Sequence, residues 1–475
     1  MKEVALFLKG LPLRLVFSIA FVIVSVLIAV IAPFDDLDST GHIMLGTMIS
    51  ALAMWIFQPG SGTFSIGVAI IFIGGAFAGI SMGTLASGFT SPSLWLIIPA
   101  MFIGFALMKT GFGKRLVLAV FRHMNLTYAK VLVGFLPINI FFSLITPSIA
   151  VRILLMTPVA VSVADACRLE KGCRGRSLIV ISCWALSIYP SIAWINGSLF
   201  GPAFTAFLPQ GMMRDLVTPE IWFRVMAPWL LFAVVFVVVL YFLLKPEKEL
   251  SITKSQLSEM YEELGPPGKE EKGCIATLVF LIVALIAQNF LPFSTNQALL
   301  AALVLLLILG VLSRKDISTG ANWDVIMFMG AIMSFPQIFE VSGLTAWLSP
   351  FLSSLLSPIA WNPLVFVLGL FGLCVLLRFV DVAQGWITAA ILGLATPFLL
   401  SDHGIHPMIM IMVFVSASNV FFFRYAQPWI VQVESVCGDG GWNPRHLKSA
   451  SVLYVVLAAA MLVFCRFYWE LIGVL

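Results

Sequence analysis

Three polar clusters interrupt otherwise apolar stretches of this sequence: Thr146-Pro147-Ser148 followed by Arg152, Asp381 followed by Gln384 and Gly385, and Arg424-Tyr425 followed by Gln427 and Pro428. Ionisable side chains inside apolar segments are costly and are usually kept for function. Arg152 lies about one helical turn beyond Ser148, so its guanidinium can offer paired donors to a carboxylate or a sulfate. The structural alternative is an ion pair with a neighbouring acid, or a side chain stretched to the membrane surface. Arg378 and Asp381 are close enough on a helix to pair with each other. Asp381 facing a cavity would instead accept a proton or supply oxygen to a cation. A fourth cluster, Asn196-Gly197-Ser198, resembles the break before Pro428 in placing donors where they can converge on an anion. Such a set recognises a small anion rather than making bonds. No HExxH is present, and His42, His123, His403, His406 and His446 fall at segment ends or in loops, so an enzyme is not expected.

The elements that must hold these clusters are membrane helices. Of the 475 residues 60% are hydrophobic and only 11% charged, with a mean hydropathy of +1.05, whereas charged residues make up about a quarter of a soluble domain. A span needs roughly 20 apolar residues, and such runs recur from 15–33 to 452–468, enough for about ten or eleven spans and no large soluble domain. The expected fold class is an all-α integral membrane protein with about 11 transmembrane helices plus two opposed re-entrant hairpins in an inverted repeat. The net charge of +4 implies no nucleic-acid surface, and seven scattered Cys without CxxC spacing imply packing rather than a disulfide framework or a zinc site. No cofactor is implied. The first apolar run is too long for a signal peptide and reads as an uncleaved span.

Basic residues mark the cytoplasmic side of short loops. They concentrate at Lys109 to Lys130, Arg168 to Arg176, Lys245 to Lys272, Arg314-Lys315 and Arg445 to Lys448, which predicts a multi-pass protein of the cell membrane with a cytoplasmic N-terminus. That assignment forces 131–166 to enter and leave on one side, as a re-entrant hairpin or two spans, and raises the same question for 361–400 from the opposite face; two such hairpins, one per side, suggest an inverted repeat. The chain then divides into an N-terminal span and outer loop (1–43), a first repeat (44–244) with the cytoplasmic-side hairpin, a linker (245–273) with one surface helix, and a second repeat (274–475) with the outer-side hairpin. The halves share an order. Trp95 opens a span closing at Thr110-Gly111, a hairpin follows with Thr157-Pro158 on its return limb, and Asn196-Gly197-Ser198 with Gly201-Pro202 breaks the next span. Trp323, Ser342-Gly343, Thr396-Pro397 and the run from Ser418-Asn419 to Pro428 repeat that order. Irregular backbone at membrane depth is tolerated only against protein or a watery cavity, so the hairpins and breaks point to one central site.

Thr146-Pro147-Ser148 with Arg152 resembles the hairpin-tip motif TPSNTAR of the divalent anion:sodium symporter family, which includes di- and tricarboxylate and sulfate carriers. Span order, paired hairpins and broken helices extend the likeness over nearly the whole chain. The resemblance implies a homodimer whose scaffold stays fixed while a transport region moves like an elevator, with a small anion as substrate. It also implies that hairpin tips and breaks bind that anion, and makes Ser148, Asn196 and Gly197 candidate sodium ligands. The family's Ser-Asn-Thr signature is eroded here to Ser148-Ile149-Ala150, and no copy stands near Asp381. A hard cation needs several oxygen ligands, so sodium, a proton, exchange without sodium and facilitated diffusion all stay open. Rival readings are a cation/proton antiporter using Asp381, and a channel.

Overall fold

The structure, a computed structural model, describes residues 13–59, 64–122, 127–208, 216–247, 249–250, 254–288, 290–379, 381, 384–422, 427–437 and 441–474. Arg424 and Tyr425 lie outside the described residues. Among those described there is no strand. Among the described residues nine helical segments are long and apolar enough to cross a membrane, and five shorter apolar helices accompany them. The protein is thus an all-α integral membrane protein.

Local chemistry sets where the helices begin. Five start with proline directly after a capping residue: Ser91-Pro92, Thr218-Pro219, Asn362-Pro363, His406-Pro407 and Asn443-Pro444. In each the capping side chain accepts a first-turn amide. Proline's missing N–H costs nothing in that turn, and its fixed φ suits the helix start. The first half comprises α1 (Leu13–Ile31), α2 (Ser39–Phe57), α3 (Ser65–Phe77), α4 (Pro92–Lys109), α5 (Phe112–Phe121), α6 (Tyr128–Ile145), α7 (Ile149–Ala166), α8 (Arg174–Ile188), α9 (Phe200–Ala206), α10 (Pro219–Met226) and α11 (Pro228–Leu244). The linker helix α12 (Lys254–Glu262) is followed by α13 (Lys269–Ala287) and α14 (Thr295–Ile308). The second half continues with α15 (Trp323–Met333), α16 (Phe335–Val341), α17 (Leu344–Ala360), α18 (Pro363–Leu377), α19 (Trp386–Leu392), α20 (Thr396–His403), α21 (Pro407–Ser418), α22 (Pro428–Cys437) and α23 (Pro444–Leu471).

Burial separates the centre from the periphery. All of segment 174–193 is buried, against 11% of 14–31. Helices α1, α11, α13 and α23 expose Ile23, Phe242, Val283 and Val456, side chains that suit hydrocarbon and not water. Gly111 and Gly343, both with φ near +74°, end α4 and the α15–α16 pair at matching places before α5 and α17. The helix that follows each break packs on the return limb of the other half's hairpin: α22 lies against α7, and α9 against α19. Each break's following helix thereby meets the hairpin of the other half.

Two details differ from the sequence reading. Gly201-Pro202 lies in the first turn of α9, beyond the break, where proline needs no amide partner. Helix α13 starts at Lys269, inside the stretch read as linker, because Glu270 and Glu271 favour a helix N-terminus and Glu271 is clamped by Arg115 at 2.5 and 3.1 Å. Asp324 accepts from the amides of Phe64 and Ser65 and the hydroxyl of Ser65 at 2.6–2.9 Å, anchoring the start of α3. The expected surface helix of the linker is α12, which packs on α5 with Tyr261 beneath Arg122 at 4.1 Å.

Candidate functional site

The first hairpin is made of two 18-residue helices, α6 and α7, joined by Thr146-Pro147. Each is about 27 Å long, close to the roughly 30 Å hydrocarbon core. Ser148 caps α7, its hydroxyl accepting from Val151 N at 3.3 Å, and Thr146 Oγ donates to Ala100 O at 3.1 Å. Arg152 sits one turn inside α7 and is fully buried. Its Nη1 donates to Thr146 O at 2.6 Å and its Nε to Ser187 O at 2.8 Å. Thr146 is the C-cap of α6, and Ser187 lies in the last turn of α8. The guanidinium thus rests on the carbonyl ends of two helices, where peptide dipoles favour a cation. Its Nη2 has no hydrogen-bond partner, and no carboxylate lies within ion-pair distance, among the described residues. An unsatisfied charged donor in a buried site costs several kcal/mol by order of magnitude, unless a ligand or solvent supplies the partner.

The first break begins earlier than the polar cluster. Helix α8 tightens into a 3-10 turn over Tyr189–Ala193, and Trp194–Leu199 then turns the chain into α9. Gly197 N donates to Trp194 O at 2.9 Å, and a Cβ on Gly197 would collide with Ser191 O and the Trp194 ring. Trp194 Nε1 donates to Ser143 Oγ at 3.0 Å, tying the break to α6. Ser198 is buried with its hydroxyl unpartnered among the described residues, whereas Asn196 is partly exposed.

At the second tip the charges answer one another. Arg378, the C-cap of α18, donates to the main-chain carbonyl of Asp381. The Asp381 carboxylate accepts from Thr388 N at 2.9 Å and Thr388 Oγ at 2.8 Å, so it caps the amide end of α19. The turn needs left-handed backbone at Gln384 (φ +57°) and Gly385 (φ +77°). A glycine suits the second position because a Cβ there would also press on Ser418 Oγ, 3.2 Å away. Gln384 Nε2 donates to Gln427 Oε1 at 2.6 Å, which joins the second tip to the second break. Gln427 Nε2, Ser418 Oγ and Asn419 Oδ1 are buried without partners among the described residues. Pro428 is the first residue of α22 and is exposed.

The structure therefore joins Thr146 to Arg152 and Gln384 to Gln427, and sets Gly385 beside Ser418. Sequence reasoning passed over Ser187 and Thr388. Ser187 acts through its carbonyl, which no residue type announces; Thr388, three residues into a helix after Gly385, carried a weak capping signal.

Residues 13–475 match the family described as the sodium:sulfate symporter transmembrane region. A protein of Cupriavidus necator, named as a membrane protein, is 24% identical to this chain across 92% of it and 89% of the relative. Dicarboxylate transporter 1 of Arabidopsis thaliana, a chloroplastic protein, is 24% identical over 55% of this chain and 48% of its own length. The crystal structure of the Alcanivorax borkumensis YdaH transporter, described as having an unusual topology, is similar with a TM-score of 0.54 at 11% identity, covering 91% of this chain and 98% of that one. That likeness concerns the fold alone.

Proposed function

The chain belongs to the sodium:sulfate symporter family, a family of transporters and not of enzymes, and from that premise we propose that it carries a small dicarboxylate-type anion by alternating access, with Arg152 as the anion's cationic contact. The carrying observation is the buried guanidinium of Arg152, held by two carbonyls and keeping one nitrogen unsatisfied. A carboxylate or sulfate oxygen is the partner such a nitrogen lacks. The unpartnered hydroxyls of Ser198 and Ser418 and the amide of Gln427 add neutral donors near the two breaks. Paired hairpins and broken helices favour a carrier over a channel. In the elevator form of the mechanism, α6–α11 and α18–α23 move together against the remaining helices, with a homodimer holding the fixed part. The packing of α22 on α7 and of α9 on α19 supports a moving body drawn from both halves. The basic loops support a cytoplasmic N-terminus in the cell membrane.

Sodium fits the first tip poorly. Ser148 Oγ is committed to Val151 N–H, and Ile149 fills the next position with fully buried hydrocarbon, which leaves few oxygens for a hard cation. Arg152 already supplies a fixed positive charge there. We therefore favour transport that does not require sodium, by exchange or proton coupling.

Thermal stability of the purified protein, titrated with succinate, citrate and sulfate in sodium and again in choline, tests both parts. At least one anion should stabilise the protein equally in the two salts, and Arg152→Ala should weaken that binding about 10- to 100-fold, the cost of a lost charged hydrogen bond. Unchanged affinity in the variant would sink the role of Arg152. Stabilisation seen only with sodium would overturn the coupling reading and leave Arg152 standing.

A further inference from the structure

Away from the hairpin tips, α6, α8 and α11 enclose a groove of about 280 Å³ whose walls are hydrocarbon: Leu132, Val133 and Leu136 of α6, Leu186 of α8, and Val234 and Val238 of α11 among them. Val133 and Val238 are 64% and 47% exposed, so the groove opens sideways on a face that lies in the membrane. At one end Tyr128 and Tyr241 close it, ring centroids 6.4 Å apart. On the far side of Tyr128 is a second, polar cavity lined by Arg168, Glu170, Cys173 and Glu247. The Tyr128 ring forms part of its wall, and the tyrosine is 94% buried with its hydroxyl unpartnered among the described residues.

The charges gather at that same end. Lys130 follows Ala129, a wall residue, and Lys245 follows Tyr241 and Phe242 by one turn at the close of α11. Lys171 belongs to the loop of the polar cavity, Arg174 opens α8 just after it, and all four are exposed. Two carboxylates stand among them: Glu247 is engaged by Arg174 at 3.6 Å, and Glu170 lines the cavity. Asp165 nearby is taken by Arg176. Cations thus outnumber acids where an apolar slot in a membrane protein meets a polar pocket, an arrangement that suits an anionic head group above an acyl chain.

We propose that this groove is a binding site for an anionic phospholipid, one acyl chain lying between α6 and α11 and the phosphate held by Lys130 and Lys245 at its charged end. The slot is concave and hydrocarbon-walled, so it orders one chain instead of presenting a flat lipid-facing surface. The flanking lysines choose the head group, and the short reach of Ala129 and Val133 leaves the room the chain occupies.

Purified protein is equilibrated with equal amounts of phosphatidylglycerol and phosphatidylcholine of identical chains, and the retained lipid is counted by native mass spectrometry. Phosphatidylglycerol should be retained roughly tenfold over phosphatidylcholine. The Lys130→Glu/Lys245→Glu variant should bring the two lipids to parity, and Val238→Trp, which fills the slot, should release both. Equal retention of the two lipids by the parent protein, or unchanged preference in the charge variant, would overturn the proposal. So would binding of glycerophosphoglycerol or inorganic phosphate as strong as that of the lipid, or a change in oligomeric mass with Val238→Trp that marks the groove as a contact between copies. The charge variant alters no packing, and its thermal melt confirms that it is folded, so it decides the matter even if the tryptophan is not tolerated.

Discussion

At the first hairpin tip a cation, Arg152, lies on the carbonyl ends of α6 and α8, while at the second an acid, Asp381, lies on the amide end of α19 and its own carbonyl is taken by Arg378. Both tips use helix dipoles to hold a buried charge. They differ in how the charge is held: two main-chain carbonyls hold the guanidinium at the first, whereas the second ties its carboxylate to Thr388 and its turn to Gln427. Under the proposed function the anion's cationic contact is at the first tip, while the carboxylate of the second fixes the shape of its own turn.

The sharpest way to break this contrast is to remove the arginines in turn. Arg152→Ala should lower anion affinity about 10- to 100-fold, while Arg378→Ala should lower the melting temperature and leave affinity within a few-fold in the same titration. Equal affinity losses would make the tips functional equals. Next in size, Asp381→Asn should cost about 1–2 kcal/mol by weakening a charged helix cap. Uptake into proteoliposomes by that variant should keep the parent's pH profile, and a profile flattened by the substitution would turn the second tip into a proton site. A smaller effect is expected between Gln384 and Gln427, where a double-mutant cycle to alanine read by thermal unfolding should give a coupling of about 1 kcal/mol. A coupling near zero would detach the second tip from its break.

The smallest effect lies outside both tips. Ser313 and Lys109 hold the Asp316 carboxyl down at about 2, with Lys109 Nζ at 2.9 Å. A depressed carboxylate stabilises the fold above its ordinary pKa and loses that contribution as pH falls toward 2. Asp316→Asn should therefore lower the melting temperature slightly at neutral pH and differ less from the parent at pH 2–3. A gap that widens in acid would contradict this.

Much of the fold could be read directly. Gly111 and Gly343 end helices at matching places, and Thr157-Pro158 and Thr396-Pro397 follow the two tips, Pro158 within a continuous helix and Thr396-Pro397 opening a new one after a 3-10 turn. The pairing of Arg378 with Asp381 was anticipated as side chain to side chain; the hydrogen bond from Arg378 Nη1 goes to the main-chain oxygen. The cap provided by Asp324 was not legible, because its partners on α3 are 259 and 260 residues away. Nor was the link between Gln384 and Gln427, two neutral residues 43 apart whose meaning depends on a break that turns the chain back.

By itself the sequence determined that this is a membrane protein, where most helices start and stop, and which residues interrupt them. Those properties follow from apolar composition and from caps and prolines acting on their own first turn, and such effects reach no further than a few residues. Only the tertiary structure decided what holds each buried charge. The partners that hold Arg152 are main-chain carbonyls of Thr146 and Ser187, the latter 35 residues away. Every residue carries such a carbonyl, so no residue type reveals whether one will be aimed at a guanidinium until the helices are packed.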